Sequence, residues 1–139
     1  ATGRPFSAWR EKRLADAAPA AVLGLRMDRD VLYRRIDERV DAMIAAGLLD
    51  EVRGLNAAGY GCDLPALGSI GYRQICEHLA GACPLAEAVA RIKTETHRLA
   101  RMQRAWFRES DPRIRWLDAS SPTATDDAAA LVERALASG

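Results

Sequence analysis

One stretch in the second half of the chain carries the residues best suited to chemistry with an anion. Residues 91–108 read RIKTETHRLARMQRAWFR, and at about 100° per residue they form a helix with two different faces. Arginine pairs bidentately with phosphate, so the cationic face predicts contact with a phosphate-bearing partner. That face would carry Arg91, Lys93, His97, Arg98, Arg101, Arg104 and Arg108. The opposite, apolar face would carry Ile92, Thr96, Leu99, Ala100, Gln103, Trp106 and Phe107.

Gln103 interrupts the apolar face with an amide. An unpaired amide in a buried stripe would cost about 1–3 kcal/mol, so we expect Gln103 to have a hydrogen-bond partner. For Trp106, packing in the core is favoured over stacking on a base.

An arginine on an apolar stripe is the second candidate for anion chemistry. In the helix that starts after Asp28, the stripe is Leu32, Ile36, Val40 and Met43, and Arg39 lies about 20° from Leu32. A buried guanidinium without a partner costs several kcal/mol, so Arg39 should meet an acid, a bound anion or a solvated cleft. Periodicity alone leaves a structural salt bridge or a snorkelling side chain equally open.

A third candidate lies at a predicted loop-to-helix junction. Backbone N–H groups at a helix start, a tyrosine ring and an arginine fork together have the chemistry to hold an RNA strand, although an ordinary helix cap is the alternative. The residues are Gly68, Ser69, Ile70, Gly71, Tyr72, Arg73 and Gln74.

Composition narrows the class of protein. The 139 residues suit a single domain, and a net charge of +1 means that affinity for nucleic acid must come from local clustering of cations. Three cysteines without a CxxC pair favour reduced thiols over a disulfide framework, and no metal site is predicted. The chain contains no 18-residue apolar run, no secretory signal and no P-loop, so we expect a cytoplasmic protein without a complete catalytic site.

The predicted elements are mainly helical. Residues 21–25 (AVLGL) fit a buried strand, which would have no partner. The first 20 residues show no sustained period and begin without a methionine, which suggests the middle of a longer protein. Glycines and prolines delimit the remaining elements. These are helices over 28–46, 48–58 and 69–79, a helix from Pro84 into 91–108, a strand over 114–117 and a helix over 125–137.

Together these motifs resemble the C-terminal part of the tRNA dimethylallyltransferase (tRNA isopentenyltransferase) family, over about residues 1–118. The matching stretches are ATGRPFS at 1–7, LYRRIDERVDAMIAAGLLDEV at 32–52, IGYRQI at 70–75, LAG at 79–81 and T-x6-Q-x2-WFR at 96–108. The resemblance implies a mainly α segment, the helical C-terminal part of a P-loop-type α/β prenyltransferase, with one last core strand near residues 21–25. Its parts would be 1–27 (end of the core), 28–118 (channel-closing and tRNA-binding helices) and 119–139 (linker and C-terminal helix).

The activity implied is transfer of the dimethylallyl group from dimethylallyl diphosphate to N6 of the adenosine immediately 3′ of the anticodon (position 37 of tRNA). In the family, the P-loop core binds the diphosphate and Mg²⁺ and supplies an aspartate that acts as general base. This segment contains neither the P-loop nor that aspartate. The segment alone should therefore be inactive. Its partners would be the tRNA anticodon stem-loop and dimethylallyl diphosphate, with no membrane and no DNA.

The resemblance also assigns residues. Arg39 matches the arginine of the RIxxR motif on the diphosphate side of the reaction, and Arg53 is an alternative for that role. Residues 68–74 resemble a region that contacts tRNA, as do Arg98, Arg101, Gln103, Arg104, Trp106 and Arg108. The chain departs from the usual pattern at Met102, within the family's KRQ, and at Ala105, where threonine is usual.

Two other functions remain open. One is a stand-alone helical RNA-binding module without catalytic activity, and the other is prenyl transfer to free adenine nucleotides, against which the basic helix argues.

Overall fold

The computed structural model describes residues 22–137, which divide into two compact units. Residues 28–108 form a helical unit. Residues 22–27 and 109–137 form a second unit that contains two strands. The motif predicted at 1–7 lies outside the described residues. The mainly α fold expected from the sequence is confirmed.

The two strands pair with each other in parallel. Strand β1 (Val22–Arg26) lies beside β2 (Ile114–Asp118), with Val22 opposite Ile114. The expectation that the first strand lacks a partner was therefore wrong. Parallel strands need a long crossover connection, and the helical unit supplies it. The helical unit ends at residue 108, and β2 follows it in the chain.

Close packing within the strand unit requires a glycine in β1. A Cβ atom at Gly24 would lie 2.7 Å from Cε3 of Trp116, the neighbour of Gly24 across the sheet. Any larger residue there would force the indole to move. The last helix, α5 (Ala124–Ala137), follows β2 in this unit.

The first two helices begin and end within one residue of their predicted boundaries. Helix α1 (Arg29–Ala45) is capped by Asp28, whose carboxylate accepts hydrogen bonds from the backbone N–H groups of the second and third residues after it, at 2.9 and 3.2 Å. Helix α2 (Leu48–Ala57) starts directly after Gly47. Gly47 has φ +102°, a left-handed conformation that glycine adopts without strain and that lets the chain turn between the two helices.

Helices α3 (Tyr72–Leu79) and α4 (Leu85–Trp106) complete the helical unit, after a loop that includes a 3₁₀ turn at Pro65–Gly68. The sequence began α3 three residues too early, at Ser69. One core cluster joins all four helices and the 3₁₀ turn. Its buried members are Val40, Leu48, Val52, Leu67, Ile75, Cys76 and Ile92.

The cysteines differ from the prediction of reduced thiols. Cys62, in the loop before the 3₁₀ turn, forms a disulfide with Cys76 on the buried face of α3. Sequence spacing did not reveal the pair because the loop between α2 and α3 folds back over α3. Cys83 is a buried free thiol.

No helix within residues 22–137 is long and apolar enough to cross a membrane. In the same residues, no three or more His, Cys, Asp or Glu side chains form a group that could hold a metal ion.

Candidate nucleic-acid interface

The cationic face of α4 divides into two halves with different surroundings. In the first half the cations form ion pairs with acids on neighbouring helices, Arg91 with Glu77 at 2.6 Å and Lys93 with Asp41 at 2.7 Å. These pairs attach α4 to α3 and α1. The sequence assigned this half to a phosphate-binding face, which overlooked its intramolecular acids.

His97 is also part of this packing. Its ring stacks on Tyr33 of α1, with the ring centroids 4.1 Å apart and the planes within 7°. Its Nε2 atom lies 3.0 Å from Oδ1 of Asp37 on the same helix. The sequence did not single out Tyr33 or Asp37 as partners, because nothing local links positions 64 and 60 residues away from His97.

The second half of the cationic face is exposed. Among the described residues, Arg98, Arg101 and Arg108 have no hydrogen-bond or ion-pair partner, and Arg104 is exposed beside them. Exposed guanidinium groups without intramolecular partners can bind phosphate oxygens without first breaking a bond within the protein. We call the surface formed by Arg98, Arg101, Arg104 and Arg108 the arginine surface.

The apolar face of α4 extends beyond α3, the helix that covers its first half. With eight residues, α3 is about 12 Å long, whereas the 22 residues of α4 extend about 33 Å. Ile92 is therefore buried, but Leu99 is 42% exposed and Trp106 is 84% exposed. The preference for Trp106 as a core residue was wrong. Its indole, like the exposed Phe107 that follows the helix end, offers a ring on which a base could stack.

Gln103 lies in this uncovered half. Its side chain is exposed and has no partner among the described residues, so it pays no burial cost. The expectation that Gln103 lies in a buried stripe was therefore wrong, and its expected hydrogen-bond partner is not among the described residues. Its amide is available to an external partner.

Gln74, in contrast, is a buried structural residue. Its side chain is 0% exposed, and its Oε1 accepts a hydrogen bond from the backbone N–H of Gly71 at 2.9 Å. This bond satisfies one of the free donors at the start of α3, where Gly71 has φ +102°. Buried in this way, the Gln74 side chain cannot contact RNA directly, and it holds the junction in shape.

The other side chains of the junction are also engaged. Arg73 forms ion pairs with Glu95 on α4 and, at 4.0 Å, with Glu77. Ile70 packs against the core, and Ser69 donates a hydrogen bond to the backbone carbonyl of Ala66 at 3.1 Å. Gly68 and Ser69 are the exposed members of the segment, together with part of Arg73. The junction therefore positions α3 against α4 and leaves a small surface for a partner.

Tyr72 donates a hydrogen bond to Oε1 of Glu51 on α2 at 2.5 Å. The Glu51 carboxylate favours the protonated phenol, so the pKa of Tyr72 is raised above its usual value of 10.0. A raised pKa in the folded state means that this bond contributes its full stability below pH 10 and loses it as the pH rises towards the folded-state pKa.

We therefore expect Tyr72 to ionise later than an ordinary tyrosine. In a Tyr33→Phe/Tyr60→Phe background, where Tyr72 is the remaining tyrosine, tyrosinate absorbance should show a pKa above 10. Adding Glu51→Ala should bring that pKa back towards 10. An unchanged titration curve in the Glu51 variant would mean that the hydrogen bond does not form in solution.

The two arginines assigned to the diphosphate differ in their surroundings. Arg53 pairs with Asp50 at 2.8 Å, one turn earlier on α2. Arg39 is exposed and has no partner among the described residues, which agrees with the solvated alternative for this position. Its neighbours on the predicted stripe, Leu32, Ile36 and Met43, are half-buried, and Val40 is the buried residue of α1. The structure brings neither arginine into contact with the arginine surface.

A small cleft separates the start of α1 from the end of α4. Its volume is about 110 Å³. Its lining residues are Arg29, Leu32, Tyr33, Ala100, Arg101 and Arg104. The arginine surface therefore borders a concave, largely apolar feature.

Fold and surface together define a class of protein. The helical unit presents exposed aromatic rings beside Arg98 and Arg101, which lack partners among the described residues. Surfaces that bind looped or single-stranded RNA combine these two features. The same chain also contains a small parallel sheet connected through that unit.

Comparisons with known proteins identify the family. A family model described as IPP transferase matches residues 1–110. The tRNA dimethylallyltransferase of Geobacter metallireducens is 52% identical over 119 residues, which cover 84% of this chain and 38% of that protein. That of Roseiflexus castenholzii is 45% identical over 136 residues, which cover 96% of this chain and 43% of that protein.

Solved structures agree with this result. The tRNA isopentenylpyrophosphate transferase of Bacillus halodurans has a TM-score of 0.73 at 31% identity, covering 90% of this chain and 40% of that one. The tRNA delta(2)-isopentenylpyrophosphate transferase of Staphylococcus epidermidis has a TM-score of 0.75 at 25% identity, covering 92% and 42%. The chain belongs to the IPP transferase family. It spans about two fifths of the length of the relatives that it matches.

Proposed function

We propose that this chain takes part in transfer of a dimethylallyl group from dimethylallyl diphosphate to tRNA, at N6 of the adenosine 3′ of the anticodon. The observation that carries the proposal is the match to the IPP transferase family over residues 1–110. Arg98 and Arg101, which are exposed and have no partner among the described residues, support a role in holding the anticodon stem-loop.

In this reaction N6 of adenine attacks the first carbon of the dimethylallyl group, the bond from that carbon to the diphosphate oxygen breaks, and diphosphate leaves. The N6 proton passes to a base, for which we propose no residue of this chain. Arg39 would stabilise negative charge on the departing diphosphate, with Arg53 as the alternative. Mg²⁺, which the family resemblance implies for the complete enzyme, would neutralise charge on the diphosphate; within residues 22–137 no group of three or more His, Cys, Asp or Glu side chains could hold it.

The direct RNA contacts that we propose are the exposed residues. They are the arginine surface, Gln103 and Trp106, with Gly68 and Ser69 at the edge of the junction. We propose that the buried Gln74 and the engaged Tyr72 and Arg73 act indirectly, because they fix the position of α3.

Replacing Gln74 and Gln103 by leucine, one at a time, distinguishes an indirect structural role from a direct RNA contact. Gln74→Leu removes the acceptor for the Gly71 N–H, and we expect it to lower the free energy of unfolding by about 1 kcal/mol. The loss lies at the low end of the usual range because the unpaired Nε2 of Gln74 is removed as well. Gln103→Leu should change stability by less than about 0.5 kcal/mol and weaken RNA binding.

Urea unfolding and RNA binding of both variants make this comparison. A stability loss larger at Gln103 than at Gln74 would contradict the assignment and make the Gln103 amide structural.

The proposed activity is tested with the product of the complete reading frame. Incubated with dimethylallyl diphosphate, Mg²⁺ and unmodified tRNA, it should give a tRNA whose adenosine next to the anticodon gains the mass of one dimethylallyl group. RNA binding without any transfer would instead support the stand-alone binding module. Transfer to free adenine nucleotides and not to tRNA would support the third function.

A further inference from the structure

The cleft between α1 and α4 has an apolar lining to which the proposed RNA contacts assign no role. Its lining combines the apolar Leu32 and Ala100 and the ring of Tyr33 with arginines from both helices. A cleft of this kind differs from a site for phosphate alone, which needs polar donors all around the anion. It combines a hydrophobic surface with positive charge at the rim.

The size of the cleft limits what can enter it. Its volume of about 110 Å³ compares with roughly 300–1,000 Å³ for typical pockets that enclose a small molecule. A free nucleotide would therefore not be enclosed, whereas one planar ring that remains attached to a longer strand can enter with its backbone outside.

Tyr33 provides a stacking surface in the cleft. His97 covers one face of the tyrosine ring, and His97 does not line the cleft. The cleft therefore reaches Tyr33 at the edge or on the opposite face. A base placed on the face opposite His97 would extend an existing stack of two rings. Because the stack with His97 already orders the Tyr33 ring, little side-chain entropy is lost on binding.

Charge complementarity selects the occupant. Arg101 has no partner among the described residues and lies both in the cleft wall and on the arginine surface. A strand whose base enters the cleft would place its phosphate near this guanidinium. Bases stacked on aromatic rings beside arginines are the usual mode of binding to single-stranded nucleic acid.

From these observations we propose that the cleft holds one unpaired base of an RNA strand, with Tyr33 as the stacking ring and Arg101 on the adjacent phosphate. This inference rests on the proposed function, since the strand would be the loop of the tRNA anticodon arm. The base is a loop nucleotide other than the adenosine that reacts.

The experiment is a double-mutant cycle between protein and RNA. Its probe is an anticodon stem-loop RNA whose loop nucleotides are replaced one at a time by abasic residues, bound to the 139-residue chain. One replacement at a non-reacting position should weaken binding about tenfold, as expected for a single stacked base. Tyr33→Leu should weaken binding of the unmodified RNA by a similar factor and should remove the effect of that abasic residue.

Two protein variants control the cycle. Tyr33→Phe keeps the ring and should bind as the wild type does. Tyr60→Leu removes an exposed ring on the loop after α2, and the effect of the abasic residue should remain. Thermal unfolding of each variant shows whether the fold is retained. A general loss of structure would weaken binding of every RNA, and would not remove the effect of one particular abasic residue.

The outcomes of this experiment distinguish failure of the base subsite from failure of the proposed RNA-binding function. If Arg101→Gln weakens binding while Tyr33→Leu binds every RNA as the wild type does, the base subsite is wrong and the RNA-binding function stands. If every abasic replacement has the same effect on affinity in the wild type and in Tyr33→Leu, the subsite is likewise wrong. If the unmodified chain does not bind the stem-loop at low salt, both the subsite and the proposed tRNA contact fail.

Discussion

Replacement of Arg39 by alanine is expected to lower kcat for prenyl transfer by about 100-fold. A cation beside the leaving diphosphate stabilises charge that develops in the transition state, and loss of one such donor typically costs about 10²–10³ in kcat. Stability should change by less than about 0.5 kcal/mol, because the side chain is exposed and has no partner among the described residues. The measurement is steady-state transfer to tRNA by the product of the complete reading frame.

Two matched variants control this result. Arg34→Ala removes another exposed, unpaired arginine of α1 and should leave turnover unchanged. Arg53→Ala removes a guanidinium already paired with Asp50 and should have a smaller effect than Arg39→Ala. Unchanged turnover in Arg39→Ala would show that the leaving-group role is wrong, and a large loss in Arg53→Ala would transfer that role to Arg53.

The double variant Arg98→Gln/Arg101→Gln is expected to weaken binding of an anticodon stem-loop roughly 30-fold at about 0.1 M salt. Each phosphate contact that is lost reduces the slope of log affinity against log salt by about 0.7–0.9, so two contacts reduce it by about 1.4–1.8. The fold should be unaffected, because both side chains are exposed and have no partner within residues 22–137. The measurement is a binding titration at several salt concentrations.

A second double variant distinguishes a local interface from a general effect of charge. Arg26→Gln/Arg115→Gln removes the same charge from exposed positions of the strand unit and should change affinity and salt slope little. Equal losses in both double variants would mean that net charge, and not the arginine surface, determines RNA binding.

Sequence reasoning predicted the local features of the fold well. Asp28 as the cap of α1 and Gly47 as its end depend on hydrogen bonds and backbone angles within a few residues, and such features are readable from residue type. The apolar periodicity likewise located α2 and α4. The exact start of α3 was missed because Gly71 and Gln74 form a cap with a glycine at the N-cap position, which is a weak sequence signal.

The candidate site was predicted less well, because its exposure depends on how the helices pack against one another. A helical wheel shows that Leu99 and Trp106 share a face with Ile92, but the length of α3 decides where that face becomes exposed. Similarly, the wheel did not show that the cations of α4 before Arg98 have acids opposite them on other helices. The motif at 70–74 was recognised without its structural role, since burial of Gln74 follows from tertiary packing.

The most direct test of the account is the salt dependence of RNA binding by this chain. We predict that the 139-residue chain binds an anticodon stem-loop RNA and that log affinity falls linearly as log salt concentration rises, because phosphate contacts at the arginine surface release counterions. Absence of binding at low salt, or an affinity that does not change with salt, would contradict the claim that α4 ends in a tRNA-binding surface.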